Sequence, residues 1–100
     1  MTNLFFQALL VVGIQLAFDE LPLLVELGLA IVSLATTGLD ILADASMSLQ
    51  QKEDNWSNEW DSLKLVLDRC IQEGQALPGE LFGLLTNVAG TEVKAALGIS

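Results

Sequence analysis

Residues 20–53, ELPLLVELGLAIVSLATTGLDILADASMSLQQKE, restrict what this chain can become more than any other stretch. Read as one helix, its polar side chains Glu26, Ser33, Thr37, Asp40, Asp44 and Gln51 recur at helical spacing, with Ala30 and Met47 in the gaps. They form a single narrow seam. Up to Leu42 nearly everything off the seam is Leu, Ile, Val or Ala. A helix apolar over most of its circumference requires cover from a core, from other chains or from lipid.

The segment before it repeats the demand. In NLFFQALLVVGIQLAF, residues 3–18, Asn3, Gln7, Gln15 and Asp19 share one row with Val11 between them, and the rest is apolar apart from Gly13. Length and the polar row favour helix over a buried strand. The sequence Asp19-Glu20-Leu21-Pro22 supplies an N-cap candidate in Asp19 and a proline tolerated in a first turn. A tight break there folds the first helix back on the second as an antiparallel hairpin, residues 3–45. Gly28 and Gly38 sit inside the second helix and permit close approach, and Gly38 after two threonines is also a candidate kink.

Polar residues 46–58 read as the turn into the second half, 54–98. There Trp56, Trp60, Leu63, Leu67, Cys70 and Ile71 keep helical spacing, while Glu59, Asp61, Lys64, Asp68, Arg69 and Glu73 lie mostly elsewhere around the helix. Gly74 is a plausible stop. Leu77-Pro78-Gly79 opens another short helix with Leu81, Phe82, Leu84, Leu85 and Val88 as its apolar side. Gly90-Thr91 interrupts it, with Thr91 as cap of a last turn ended by Gly98. The expected fold is one all-α domain over residues 1–100.

Charge is distributed unevenly. The first 51 residues hold five acids and no Lys or Arg; Lys52, Lys64, Arg69 and Lys94 are the chain's bases, and the net charge is −9. Four scattered bases make no phosphate-neutralising stripe, which argues against nucleic acid, and adsorption to anionic lipid by charge is disfavoured for the same reason. Only 17% of residues are charged and 52% are hydrophobic, with a mean hydropathy of +0.54. The amino-terminal MTNLFFQ lacks the basic segment of a secretory signal.

Little in the sequence carries chemistry. One cysteine and no histidine exclude a Cys–His pair and leave no zinc set. Cys70 reads as a small packed hydrophobe. Glu53, Asp54, Glu59 and Asp61 lack the alternation and central glycine of a calcium loop, and read as a solvated, acid-rich helix start. Glycines 79, 83 and 90 match no phosphate-binding loop. Asp40 and Asp44, with Glu26 on the same seam, are candidates for a proton or cation path if dehydrated, against an ordinary role as solvated or interfacial polar groups.

These features imply a non-enzymatic structural or assembly protein without a cofactor. It is expected in a membrane or a larger protein complex, with a soluble homo-oligomer as the first alternative and a pore using Glu26 and Asp40 as the second. Supporting a membrane are the composition of residues 21–39 and the interfacial character of Trp56 and Trp60. Opposing it are a first helix too short to span, carboxylates within the span, and no flanking bases to set topology. Trp56, Trp60, Leu63, Leu67, Leu29 and Ile31 are the candidate packing or interface residues. Leu29→Asp and Ile31→Asp are both expected to break assembly.

Overall fold

A computed structural model describes residues 2–89 and 91–99, with side chains for residues 4–88 and 93–99. The described residues form five helices and no strand: α1 (Thr2–Ala17), α2 (Pro22–Ala43), α3 (Leu49–Gln72), α4 (Gly79–Ala89) and α5 (Thr91–Leu97). The all-α class is the one the sequence implies.

The ends of the helices follow local chemistry, and several differ from the sequence reading. Pro22 occupies the first turn of α2, but the N-cap position belongs to Leu21 rather than Asp19. Asp19 instead accepts a hydrogen bond from the Leu21 amide at 3.0 Å and shapes the connection. The helix continues unbroken through Gly38. It ends at Ala43 rather than running to Gln51, because Asp44 leaves helical geometry and its carboxylate accepts from both the amide and the hydroxyl of Ser46.

Gln51 therefore belongs to the next helix. Ser48 accepts from the Gln51 amide while the Gln51 side chain accepts from the Ser48 amide, a capping box that starts α3 at Leu49, well before Trp56. Gly74 takes a left-handed φ of 69° just after α3, as a helix stop requires, and Gly98 does the same beyond α5. Gly90 and the Thr91 side chain, on which the expected last cap depends, lie outside the described residues.

The closest helix approach is between α1 and α2. A Cβ at Gly28 would lie 2.4 Å from the Ala17 amide nitrogen and 2.6 Å from the Gly13 carbonyl oxygen, so the backbones meet there. Farther along, Gly38 accommodates the ring of Phe6. The two helices therefore meet in opposite chain order, and two glycines that cost helix propensity make the approach possible. Helix α3 crosses the other flank of α2 in the reverse direction, with Arg69 beside Glu26 and Glu59 beside Ser33.

One core results, built on Phe6, Leu9, Val12 and Leu16 of α1, Leu24, Leu27, Ile31, Leu34 and Ile41 of α2, and Trp56, Leu63 and Cys70 of α3. Leu81, Leu85 and Val88 of α4 close it, together with Val93, Leu97 and Ile99. Phe6 and Trp56 pack edge to face with centroids 5.8 Å apart. Each large side chain so buried contributes about 1.5–3 kcal/mol of transfer free energy.

Candidate functional site

The polar seam of α2 lies along the flank that receives α3, and most of it is occupied by this chain's own side chains. Glu26 accepts from Arg69 at 2.9 Å, in an ion pair exposed enough to contribute little stability. Ser33 donates to the Glu59 carboxylate at 2.7 Å in a part-buried setting. Thr37 and Asp40 line a small polar recess of about 210 Å³ with Met47, Asn55, Asn58 and Glu59. Asp40 is exposed, and Asp44 stands in the turn. The seam is thus a wet margin between two helices, with Asp44 off its line. Among the described residues no group of three or more acids or thiols is placed to hold a metal.

Among the described residues, two ionisable groups depart from ordinary behaviour. The hydroxyl of Ser46, and then its amide, hold the Asp44 carboxyl below its usual value. Burial pushes the Cys70 thiol up; its sulfur donates weakly to the Leu23 carbonyl at 3.8 Å. A thiol so placed is a poor nucleophile.

The hydrophobic candidates divide. Trp56, Leu63 and Ile31 are core, while Trp60 and Leu67 are half-buried against it. Ile71, placed on the same face by its spacing, is exposed. It follows the fully buried Cys70 directly, and adjacent residues of a helix point about 100° apart. Phe82 of α4 is likewise exposed. The Trp56 indole N–H is buried with no hydrogen-bond partner. Leu29, grouped with Ile31 in the sequence reading, is its opposite: 57% exposed against 0%.

Leu29 belongs to a surface that only the three-dimensional arrangement defines. On the side of α2 turned away from α3, Leu21, Val25, Leu29, Val32, Thr36 and Leu39 follow helical spacing and none carries a charge; Leu21, Leu29 and Thr36 are exposed, and Val25, Val32 and Leu39 are half-buried. Gly13 brings α1 against this side, since a Cβ there would meet Val32 Cγ2 at 2.9 Å. Ile14 and Phe18 of α1 extend the surface, Phe18 with 85% of its area open. Around α1 a second feature opens, a groove of about 820 Å³ against α4 lined by Val11, Val12, Gln15, Gly83, Leu84 and Asn87, among others.

Sequence periodicity had identified the seam but not what meets it. Arg69, Glu59, Asn55 and Asn58 sit on another helix, and no spacing rule links them to Glu26, Ser33 or Asp40. Comparison with protein-family models, curated proteins and solved structures finds no match. Among the described residues, one helix, α2, is long and apolar enough to cross a membrane.

Proposed function

We propose that this chain is a non-enzymatic assembly protein that docks onto other protein through the uncharged outer face of α1 and α2. The observation that carries the reading is the contrast between the two flanks of α2. One flank meets α3 through Ser33–Glu59 and Glu26–Arg69, while the other leaves Leu21, Leu29 and Thr36 exposed beside half-buried Val25. Monomeric soluble proteins rarely leave contiguous apolar surface of that extent open.

A membrane-spanning α2 is the competing reading, favoured by that helix's length and composition. Its difficulty is α3, which lies along α2 and carries Glu53, Asp54, Asp61, Lys64 and Asp68. Insertion of α2 would drag these charges into hydrocarbon at several kcal/mol each, or strip α3 away and expose the core around Trp56 and Leu63. For the pore reading, Glu26 faces Arg69 and Asp40 faces water, so neither stands in the dehydrated setting that a proton path uses.

Two aspartate substitutions test the proposal by light scattering and circular dichroism in detergent-free buffer. Leu29→Asp is expected to keep helicity and cooperative melting yet lose association. Ile31→Asp, placing a charge in the sealed core, is expected to unfold the chain. Association unchanged in Leu29→Asp, or recovery of wild-type protein only from carbonate-washed membranes, would overturn the docking reading.

A further inference from the structure

The geometry points to a second copy of this chain as the occupant of the α1–α2 face, in a two-fold dimer whose axis passes near Leu29; this inference rests on the docking reading above. Three observations select a copy over other occupants.

The first is area. From Leu21 to Leu39 the face runs roughly 27 Å along α2, and two helices side by side give it a width of roughly 20 Å, or about 500 Å² per chain. Two such faces bury about 1,000 Å², at the lower bound of specific protein interfaces. That suits a reversible dimer and falls short of an obligate one.

The second is charge. The face itself carries none, so it offers nothing to select a basic or acidic partner. The whole chain stands at −9, with no base in α1 or α2, so an anionic lipid surface is repelled. In a dimer joined by the outer faces, each α3 lies behind its own α2. The two acidic outer rows are then separated by roughly 20 Å, beyond the Debye length of about 8 Å at physiological salt. Self-association therefore brings together the surfaces of this molecule with the least repulsion between them.

The third is pattern. A two-fold axis perpendicular to α2 near Leu29 runs the two copies of that helix antiparallel. The exposed Leu29 side chains then stand beside the axis and Leu21 of one copy meets Thr36 of the other, with the half-buried Val25 and Val32 between them, so that apolar or methyl-bearing side chains face one another along the helix. Phe18, the most exposed large apolar side chain among those described, lies toward the end of the copy's α2 that holds the exposed Thr36. The Asp19–Glu20 connection approaches Asp40 at each end, an exposed like-charge meeting that salt screens. Association should accordingly strengthen as salt rises, whereas capture of a basic partner weakens.

Sedimentation velocity on the full chain from about 5 to 500 µM, the range in which an interface of this size dissociates, tests the dimer. The expected result is a reversible monomer–dimer equilibrium that shifts toward dimer between 0.05 and about 0.5 M NaCl. Leu29→Asp should remain monomeric with wild-type helicity. Leu65→Asp, at a leucine on α3 more exposed than Leu29, should dimerise as wild type does. A short bismaleimide should link Leu29→Cys into dimers and leave Leu65→Cys monomeric, with Cys70 buried in both.

Dimerisation that Leu29→Asp leaves intact, or growth past the dimer into larger species, overturns the two-fold arrangement. A wild-type monomer at every concentration that also fails to float with phosphatidylcholine vesicles overturns the second copy alone. A monomer that floats with those vesicles, with flotation lost in Leu29→Asp, overturns both the dimer and the protein-docking reading.

Discussion

Replacing Gly28 by alanine adds one methyl group to the middle of α2, a change that on helix propensity alone stabilises by about 1 kcal/mol. The packing reverses the sign. The new Cβ would stand 2.4 Å from the Ala17 nitrogen, 2.6 Å from the Gly13 oxygen and 2.8 Å from the Leu16 carbonyl carbon. All three are backbone atoms of α1, so no rotamer change relieves the clash. The helices must separate by about 1 Å, and a gap of that size forfeits a quarter to a half of each dispersion contact across it. Overpacking of this kind costs typically 1–3 kcal/mol, with this case at or above the upper end because the obstruction is main chain. After the propensity gain, a net loss of about 2 kcal/mol remains, or roughly 8–16 °C in melting temperature for a chain of this size. Gly83→Ala in α4 is the internal control: nothing lies within 4 Å of a Cβ there, so the propensity gain of up to about 1 kcal/mol stands alone. Urea and thermal denaturation followed by circular dichroism compare the two. A Gly28→Ala protein as stable as Gly83→Ala would refute the close backbone crossing and with it the placement of α1 on α2.

Other substitutions probe separate parts of the structure. Trp56→Phe removes a buried indole N–H that has no partner, offsetting the lost volume, and should change the unfolding free energy from urea titration by less than about 1 kcal/mol, whereas Trp56→Ala should cost about 3–5 kcal/mol. Ser48→Ala removes the side-chain half of the capping box and should cost about 1 kcal/mol in the same assay, with fraying confined to the start of α3 by amide exchange. Stability against pH should show two limbs. The Asp44 carboxyl is held low in the fold, so its contribution is present above its ordinary value of 3.8 and disappears as pH falls through the folded value. The Cys70 thiol is held high, so its contribution is present below 9.0 and disappears as pH rises through the folded value. Urea midpoints across pH should therefore show a shallower acid limb in Asp44→Asn and a shallower alkaline limb in Cys70→Ala.

The all-α class, the break at Pro22, the stops at Gly74 and Gly98, and the core side of Trp56, Leu63 and Cys70 were legible because each depends on residues close together in sequence. The boundary between α2 and α3 was not. A seam through Asp44, Met47 and Gln51 keeps helical spacing whether or not the helix continues, since Asp, Ser and Gln suit both an exposed helix row and a cap. What decides the matter is the reciprocal pair Ser48–Gln51 together with the grip of Asp44 on Ser46. The signal was present in the letters S-L-Q-Q, serine followed three residues later by glutamine, and the longer periodicity masked it.

Leu29 and Ile31 show where periodicity runs out altogether. Both are large, aliphatic and two positions apart on a helix apolar over most of its circumference, so sequence alone gives no reason to separate them. Helix α3 covers the flank holding Glu26 and Ser33, and α1 meets the arc holding Gly28 and Ile31. Between them the core fills the arc of Leu27 and Leu34. The arc of Val25, Leu29 and Thr36 is what remains. A helix of this composition would satisfy a bilayer from every direction except the seam, but α3 already lies on that seam with its charges outward. Helix α3 covers one side of α2 and leaves Leu29 and Thr36 exposed on the other. The uncovered arc is therefore a consequence of topology: two apolar helices packed side by side have two faces, and the remaining helices of this chain cover one.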